Sequence, residues 1–293
     1  QVHRGVLHEG GEVAVKIQYP GVGGTISGDL QLVRQIVAPF FKSPFVTRFL
    51  GEIEERLREE TDYHREFANT EWFRENLGMP GILIPKAHPK YSTGAVLTTD
   101  LLTGLSFDRF LETNPSQEMK NRFGQTLYDL FMNCLFRLNR MHADPNPGNY
   151  LFREDGRVGL IDFGCVKVLE PEFCKTMSEL WRAHLRRDIE AERRIYKVFG
   201  VNQSEDEWER VYEKMLKPFG EWLSLPMQNE VFDFGKHPDY CDRAGKFMGY
   251  VINDPAFSKF TTNTIFVDRT IYGLFRIFGQ LGAQIRFHNE WVY

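Results

Sequence analysis

The sequence predicts an α+β protein of two lobes, with a strand-rich N-terminal half that contains one prominent helix and a mostly helical C-terminal half. Three observations indicate this arrangement. β-rich segments bounded by turn residues lie within the first hundred residues, a hairpin pattern follows near the middle, and apolar residues recur at helical spacing through most of the remainder. We place the hinge at Leu102-Thr103-Gly104, which gives an N-lobe over 1–103 and a C-lobe over 104–293.

The N-terminal half combines short strands with two helices. Val13–Tyr19 follows a Glu-Gly-Gly turn and reads as a strand, and residues 82–84 and 95–98 read as two more. Apolar residues at helical spacing predict a helix over 29–41 and a longer one over about 51–77, which Gly and Pro residues end. The chain starts without Met, so we expect this lobe to be N-terminally incomplete.

The C-terminal half begins with a buried helix. A broad apolar stripe predicts helix over Gln117–Met141, and Glu154-Asp155-Gly156 predicts a hairpin between 150–152 and 157–161. From Pro171 onward the pattern is helical, with interruptions near Gly200, Pro226, Pro238 and Pro255.

A late apolar stripe has two interpretations, a membrane or lipid contact and a helix packed in the core. Its helical spacing favours the core. Charged residues interrupt it, which argues against a membrane-spanning helix. The stripe consists of Ile271, Phe275, Phe278, Leu281 and Ile285.

Composition narrows the class of protein. The chain is 42% hydrophobic and 26% charged, which is ordinary globular usage. A net charge of −4 and a pI near 6.1 argue against a nucleic-acid binder. The four cysteines form no C-x-x-C pair and favour reduced thiols in a reducing compartment such as the cytoplasm.

Side chains that suit phosphoryl transfer occur in a fixed order along the chain. The reaction needs a cation on the nucleotide phosphates, an acid that holds this cation, oxygen ligands for Mg²⁺, and a carboxylate that orients the nucleophile. Lys16 in Val-Ala-Val-Lys supplies the cation, and Glu66 on the predicted helix supplies its partner.

The catalytic-loop candidates are the most specific part of the pattern. His142-Ala-Asp144-Pro-Asn-Pro-Gly-Asn149 follows a buried helix, and Asp162-Phe-Gly ends an apolar strand thirteen residues later. Asp144 would orient the nucleophile, while Asn149 and Asp162 offer the oxygen ligands that Mg²⁺ prefers.

Each of these residues also has a structural interpretation. Lys16 could be a solvated lysine on a half-buried strand, Glu66 one acid of a solvated face, and Asp144 and Asn149 the caps of a turn. The complete set in kinase order favours a site for ATP and Mg²⁺ over these separate readings.

The sequence resembles the UbiB (AarF-like) family of atypical protein-kinase-like proteins over essentially its whole length. The resemblance rests on the lysine strand, the catalytic loop and the Asp-Phe-Gly motif, together with the Glu60-Thr-Asp62-Tyr63 element and the Asp-Pro-Asn-Pro-Gly-Asn sequence of the loop. The resemblance implies a two-lobed kinase-like fold whose C-helix is the prominent N-lobe helix. It implies that Glu60 and Asp62 form the family's regulatory Glu-x-Asp element, and that Glu66 pairs with Lys16. It also implies ATP hydrolysis or phosphoryl transfer in ubiquinone or isoprenoid-lipid metabolism, with peripheral membrane contact.

Two features differ from ordinary Ser/Thr kinases. Asn146 stands two residues after Asp144, where those kinases carry a lysine, and no Ala-Pro-Glu motif follows Asp162. Both differences disfavour protein substrates. Two alternatives stay open beside an atypical kinase or ATPase: a small-molecule phosphotransferase, and a nucleotide-gated scaffold without turnover.

Overall fold

The computed structural model describes most of the chain, and the predicted helix over 29–41 lies outside the described residues, as does Glu60. The described residues are 1–21, 47, 50, 51, 54, 61–201, 204–244, 247, 251 and 254–293.

A three-stranded antiparallel sheet forms the N-terminal part. Strands β1 (Val2–Val6) and β2 (Glu12–Ile17) make a hairpin, and β4 (Val96–Asp100) pairs with the other edge of β2. Gly10 and Gly11 allow the tight turn, because both have positive φ angles (90° and 103°) that other residues adopt only with strain. Lys16 is therefore carried by the central strand.

Helix α1 (Tyr63–Asn76) lies against β4. The carboxylate of Asp62 accepts hydrogen bonds from the backbone N–H groups of His64 and Arg65, so Asp62 is the N-cap. The predicted continuous helix over about 51–77 is wrong in this region, because Asp62 has extended backbone angles (φ −105°, ψ 93°). Asp62 thus precedes the helix that carries Glu66.

Short strands frame the segments that carry the catalytic-loop motif. The predicted hairpin is confirmed as β6 (Tyr150–Phe152) and β7 (Val158–Leu160), and β3 (Ile82–Leu83) runs parallel to β7. Strand β5 (Arg140–His142) pairs with β8 (Val166–Val168), so the chain before Asp144 lies beside the chain after Asp162.

The predicted helix over Gln117–Met141 ends earlier than expected. Short helix α2 (Phe107–Glu112) precedes it, and α3 (Gln117–Met132) continues only as a π-helical turn over Asn133–Arg137. Asn139 then takes a positive φ of 49°, and the following residues extend to pair with β8. Strand pairing therefore overrides the helical period over the last residues of the stripe.

Helices dominate the remainder, together with one two-stranded sheet of two-residue strands that the sequence did not predict. The helices whose bounds lie within the described residues are α4 (Pro171–Arg186), α5 (Ile189–Val198), α6 (Glu205–Val211), α7 (Lys217–Ser224) and α8 (Thr262–Leu281), and the strands there are β9 (Phe232–Asp233) and β10 (Gln284–Ile285).

The late apolar stripe belongs to the core, which confirms the packing interpretation. Ile271, Phe275, Phe278, Leu281 and Ile285 are each at most 1% exposed. α8 and β10 pack on α3, and a Cβ on Gly124 of α3 would lie only 2.6 Å from Ile285 Cδ1. Among the described residues, no helix has the length and apolarity that a membrane crossing requires.

Candidate active site

An ion cluster joins β2, α1 and the segment after β7. Lys16 Nζ donates to Oε1 and Oε2 of Glu66 at 2.8 and 2.9 Å, and to Oδ2 of Asp162 at 2.8 Å. Glu66 is only 2% exposed, whereas the side chains of Lys16 and Asp162 are 26% and 34% exposed. The cluster therefore has a buried end at Glu66 and an open end at Asp162.

The charges of this cluster perturb one another. Burial alone would lower the pKa of Lys16, but the carboxylates of Asp162 and Glu66 outweigh burial and raise it. Burial raises the pKa of Glu66, and the neighbouring Asp162 carboxylate adds to the rise. Burial acts in the same direction on Asp162, yet Lys16 and the Gly164 N–H hold its pKa below the usual value. Asp162 is thus the carboxylate best suited to stay ionised beside a cation.

Helix α1 fixes the backbone after β7 at Phe163. The Phe163 N–H donates to the Glu66 carboxylate, and the Phe163 carbonyl accepts from Asn69 Nδ2 at 3.1 Å. The rings of Phe163 and Phe73 lie 5.2 Å apart. The Asp162 side chain is oriented in turn by the Gly164 N–H, which donates to Oδ1 at 2.9 Å.

The loop over 142–149 is held by its own side chains. Asn149 Nδ2 donates to Oδ2 of Asp144 at 2.8 Å and to its carbonyl at 3.2 Å. Asn146 Oδ1 accepts from the Gly148 N–H at 2.9 Å, which caps the turn over Pro147–Asn149. Because Asn149 uses its amide nitrogen on Asp144, its amide oxygen faces no such bond and is of the type that a hard cation accepts as a ligand.

Backbone hydrogen bonds tie this loop to the ion cluster. The Ile161 N–H donates to the Asn149 carbonyl at 3.1 Å, and His142 Nε2 lies 2.7 Å from the Asp162 carbonyl. Tyr150 pairs with Leu160 across the hairpin, which brings Asn149 opposite the residue before Asp162. These bonds join the cluster of Lys16, Glu66 and Asp162 to the loop that carries Asp144 and Asn149.

The donor set suits Mg²⁺. Asn149 and Asp162 offer amide and carboxylate oxygens, and Mg²⁺ is usually held by one or two carboxylates together with substrate phosphates. No group of three or more His, Cys, Asp or Glu side chains among the described residues could form a metal cage by itself. Two oxygen donors from the protein fit a metal whose other ligands are substrate phosphates and water.

A basic residue from the last long helix also reaches the loop. Arg269 Nη2 lies 3.6 Å from Asp144 Oδ1. One turn further along α8, a Cβ on Gly273 would lie 2.3 Å from Pro145 Cγ, so the helix backbone touches the loop. Arg269 is not among the residues that the sequence predicts for the site, because no local spacing places a residue 125 positions away beside Asp144.

Comparison of the sequence with protein-family models assigns the chain to a family. The model of the ABC1 atypical kinase-like domain matches residues 1–196. The chain belongs to this family. The UbiB (AarF-like) resemblance is therefore confirmed, as is the α+β class within a kinase-like domain.

ABC1 relatives agree with the assignment. The chain is 34% identical over 188 residues to "Atypical kinase COQ8B, mitochondrial" of Rattus norvegicus, covering 62% of this chain and 35% of the relative. It is 25% identical over 295 residues to "Atypical kinase COQ8, mitochondrial" of Saccharomyces cerevisiae, covering 97% of this chain and 57% of the relative. The chain thus spans about a third to somewhat over half of these two proteins.

One solved structure shows the same fold. The complex of Rv3197 with erythromycin from Mycobacterium tuberculosis superimposes with a TM-score of 0.69 at 23% identity. The match covers 98% of this chain and 72% of that chain. It therefore extends beyond residue 196 and includes the helices that follow.

Proposed function

We propose that this ABC1-family chain is an atypical kinase or ATPase that binds Mg·ATP between an N-lobe (1–103) and a C-lobe (104–293). The contact of Lys16 with Glu66 and Asp162 carries the proposal. It joins a strand, a helix and a loop through the lysine–acid pairing that kinases use to hold a phosphate-binding lysine. In this view α1 is the C-helix and residues 102–104 are the hinge.

Lys16 would contact the α- and β-phosphates. Its ammonium has three donors, and all three point at carboxylate oxygens. A phosphate would take the place of the Asp162 contact, because Asp162 lies at the exposed end of the cluster whereas Glu66 is buried. Asp162 would then be released to ligate Mg²⁺ together with Asn149.

Asp144 would orient the acceptor. An acceptor hydroxyl or a water would attack the γ-phosphorus, the bond to the bridging β-γ oxygen would break, and ADP would leave with the electron pair. The proton of the nucleophile would pass to Asp144. Bound Mg²⁺ would supply charge neutralisation of the phosphates. Asn149 holds the Asp144 carboxylate in place for this role.

The biological setting follows from the family rather than from the geometry. Two relatives are named mitochondrial COQ8 kinases, and the UbiB family is linked to quinone and isoprenoid-lipid metabolism at membranes. We therefore expect a role in ubiquinone or related lipid metabolism, with peripheral contact to a membrane surface. All four cysteines are described, none of them forms a disulfide, and three are buried, which fits a reducing compartment.

Phosphate release from Mg·ATP, measured with and without anionic vesicles, tests the proposal. Asp162→Asn should reduce Mg²⁺-dependent nucleotide affinity and lower turnover about 10²-fold or more, because an ionised metal ligand is lost. The exposed Asp239→Asn is the matched control and should behave as wild type.

Other outcomes separate the alternatives. Nucleotide binding by wild type without phosphate release under any condition would favour a scaffold. ATP consumption that appears only with small alcohols would favour a small-molecule phosphotransferase. Unchanged Mg²⁺ dependence in Asp162→Asn would contradict the metal assignment.

A further inference from the structure

The loop around Asp144 lacks the cation that ordinary kinases place there. Asn146 occupies the position two residues after Asp144, and its side chain caps the Gly148 N–H. Lys16 is the basic residue of the ion cluster, and two carboxylates already engage it. A phosphoryl group in transfer needs further positive charge near its outer oxygens.

Arg269 of α8 brings a guanidinium to this place. Its Nη2 lies 3.6 Å from Oδ1 of Asp144, on the carboxylate oxygen that Asn149 does not use. Arg269 is 54% exposed and Asp144 is 30% exposed, so the pair faces open space rather than the core. At 3.6 Å the contact is an ion pair without a good hydrogen bond, and among the described residues no hydrogen bond engages the guanidinium, so its donors are open to a phosphate.

The helix holds Arg269 at this distance. Residues 269 and 273 are four apart on α8 and share a face, and Gly273 lets that face touch Pro145. The opposite side of the helix is anchored by Ile271, Phe275 and Phe278, each at most 1% exposed. A residue on a rigid, packed helix is positioned more accurately than one on a loop.

Loop stability does not explain the contact. The loop is already held by the bond of Asn149 to Asp144, the cap at Asn146 and the Ala143 N–H, which donates to the Cys165 carbonyl at 2.9 Å. An ion pair this exposed contributes little to folding, because water screens both charges. The contact places a positive charge beside Asp144.

We propose that Arg269 replaces the missing catalytic-loop lysine and contacts the transferring phosphoryl group beside Asp144. This proposal deepens the proposed function and rests on it. Arg269 acts on charge that develops as the β-γ bond breaks, so it stabilises the transition state more than bound ATP.

Arg269→Gln tests the proposal, with Arg276→Gln as the matched control. Arg276 is exposed on the same helix and has no ion pair with Asp144 among the described residues. We expect Arg269→Gln to lower turnover about 10²-fold while the Kd for Mg·ATP changes less than about twofold. Arg269→Lys keeps the charge and should restore part of the loss, and Arg276→Gln should match wild type.

A second measurement does not depend on turnover. ADP with Mg²⁺ and aluminium fluoride mimics the transferring phosphoryl group, whereas ADP alone does not. We expect Arg269→Gln to weaken binding of the aluminium fluoride complex by a factor similar to its loss of turnover and to leave ADP binding unchanged. A merely structural role would weaken both ligands together, or lower the unfolding temperature instead.

Failure of the Arg269 proposal and failure of the proposed function would give different results. Wild-type protein without phosphate release contradicts the proposed enzymatic turnover, and the aluminium fluoride comparison then still decides the role of Arg269. If the wild type releases phosphate and Arg269→Gln does so at a rate within about threefold of it, the Arg269 proposal alone is overturned. An equal loss in Arg276→Gln would also overturn it. If the Gln variant does not fold, Arg269→Lys is compared with wild type in the same two assays.

Discussion

At the scale of single residues, the site is defined by carboxylates that outnumber their cations. Lys16 contacts both Glu66 and Asp162, and Arg269 lies 3.6 Å from Asp144. A surplus of negative charge is costly when buried, and it is relieved when a divalent cation binds. The arrangement therefore favours binding of nucleotide together with Mg²⁺ over free nucleotide.

Asp268 is an acid outside the site, and its burial makes the stability of the folded protein depend on pH. It lies in the wall of an apolar cavity of about 310 Å³ beside Trp222 and Ile265. No hydrogen bond or ion pair joins its carboxylate to the part of the chain that the structure describes. Burial raises the pKa of Asp268 to about 7.

We predict that Asp268→Asn stabilises the protein at pH 8 but hardly at pH 4. The folded state holds the proton of Asp268 up to about pH 7, whereas an unfolded aspartate loses it near pH 4. The stability of the wild type should therefore fall between these values, by up to about 4 kcal/mol. Urea unfolding at both pH values measures the difference, with Asp239→Asn as control. An equal effect of Asp268→Asn at both pH values would contradict the assignment.

At the scale of elements, α8 is the part that links the core to the catalytic loop. Its buried side packs against α3, and its other side meets Pro145 through Gly273. Small residues at such a crossing let two backbones approach, so a single methyl group has a measurable effect.

Gly273→Ala should therefore separate α8 from the loop. The new Cβ would lie 2.3 Å from Pro145 Cγ, and we expect a loss of about 1–3 kcal/mol in unfolding free energy with lower turnover. Gly279→Ala on the same helix is the control, because its nearest atom would be Cys241 Sγ at 4.0 Å. That variant should be neutral or gain up to about 1 kcal/mol from helix propensity. Equal behaviour of both variants would show that the contact at Pro145 has no energetic role.

Elements with a strong local signal could be predicted from the sequence, and elements set by distant contacts could not. The hairpin over 150–160 was predicted because its turn and strands are adjacent. The start of α1 was missed because Asp62 reads as one more acid in a charged run, although it caps the helix. The end of α3 was missed because pairing of β5 with β8 overrides the helical period.

The same distinction applies to the site. The five residues from Lys16 to Asp162 could be named because their chemistry and order form a pattern. Their mutual distances depend on how β2, α1 and the hairpin pack, which no local spacing gives. Arg269 has no motif of its own, since its position depends on the course of the intervening helices.

At the scale of the whole molecule, one apolar core extends from Phe73 of α1 to Val292 near the end of the chain. The match to the family model ends at residue 196, but the core that supports the catalytic loop continues beyond that residue. Tyr128 of α3 donates its hydroxyl to the Phe287 carbonyl, and the two rings lie 4.6 Å apart. The later helices thus complete the unit that holds Asp144.

We therefore predict that a fragment of residues 1–201 does not fold as an independent kinase-like domain. Removing the later residues would expose the face of α3 that carries Phe123, Leu127 and Tyr128, each at most 1% exposed in the whole chain. An exposed apolar face of this kind binds dyes and promotes association. The fragment would also lack Arg269.

Calorimetry and binding of a hydrophobic dye on the fragment and on residues 1–293 measure this difference. We expect a single sharp unfolding transition only for the longer chain, and strong dye binding only for the fragment. Adding the segment over 204–293 as a separate chain should restore part of the transition if the contacts of α3 with α8 and β10 are what the fragment lacks. A fragment that unfolds cooperatively and releases phosphate from Mg·ATP would instead place the whole catalytic unit within residues 1–201, and Arg269 outside it.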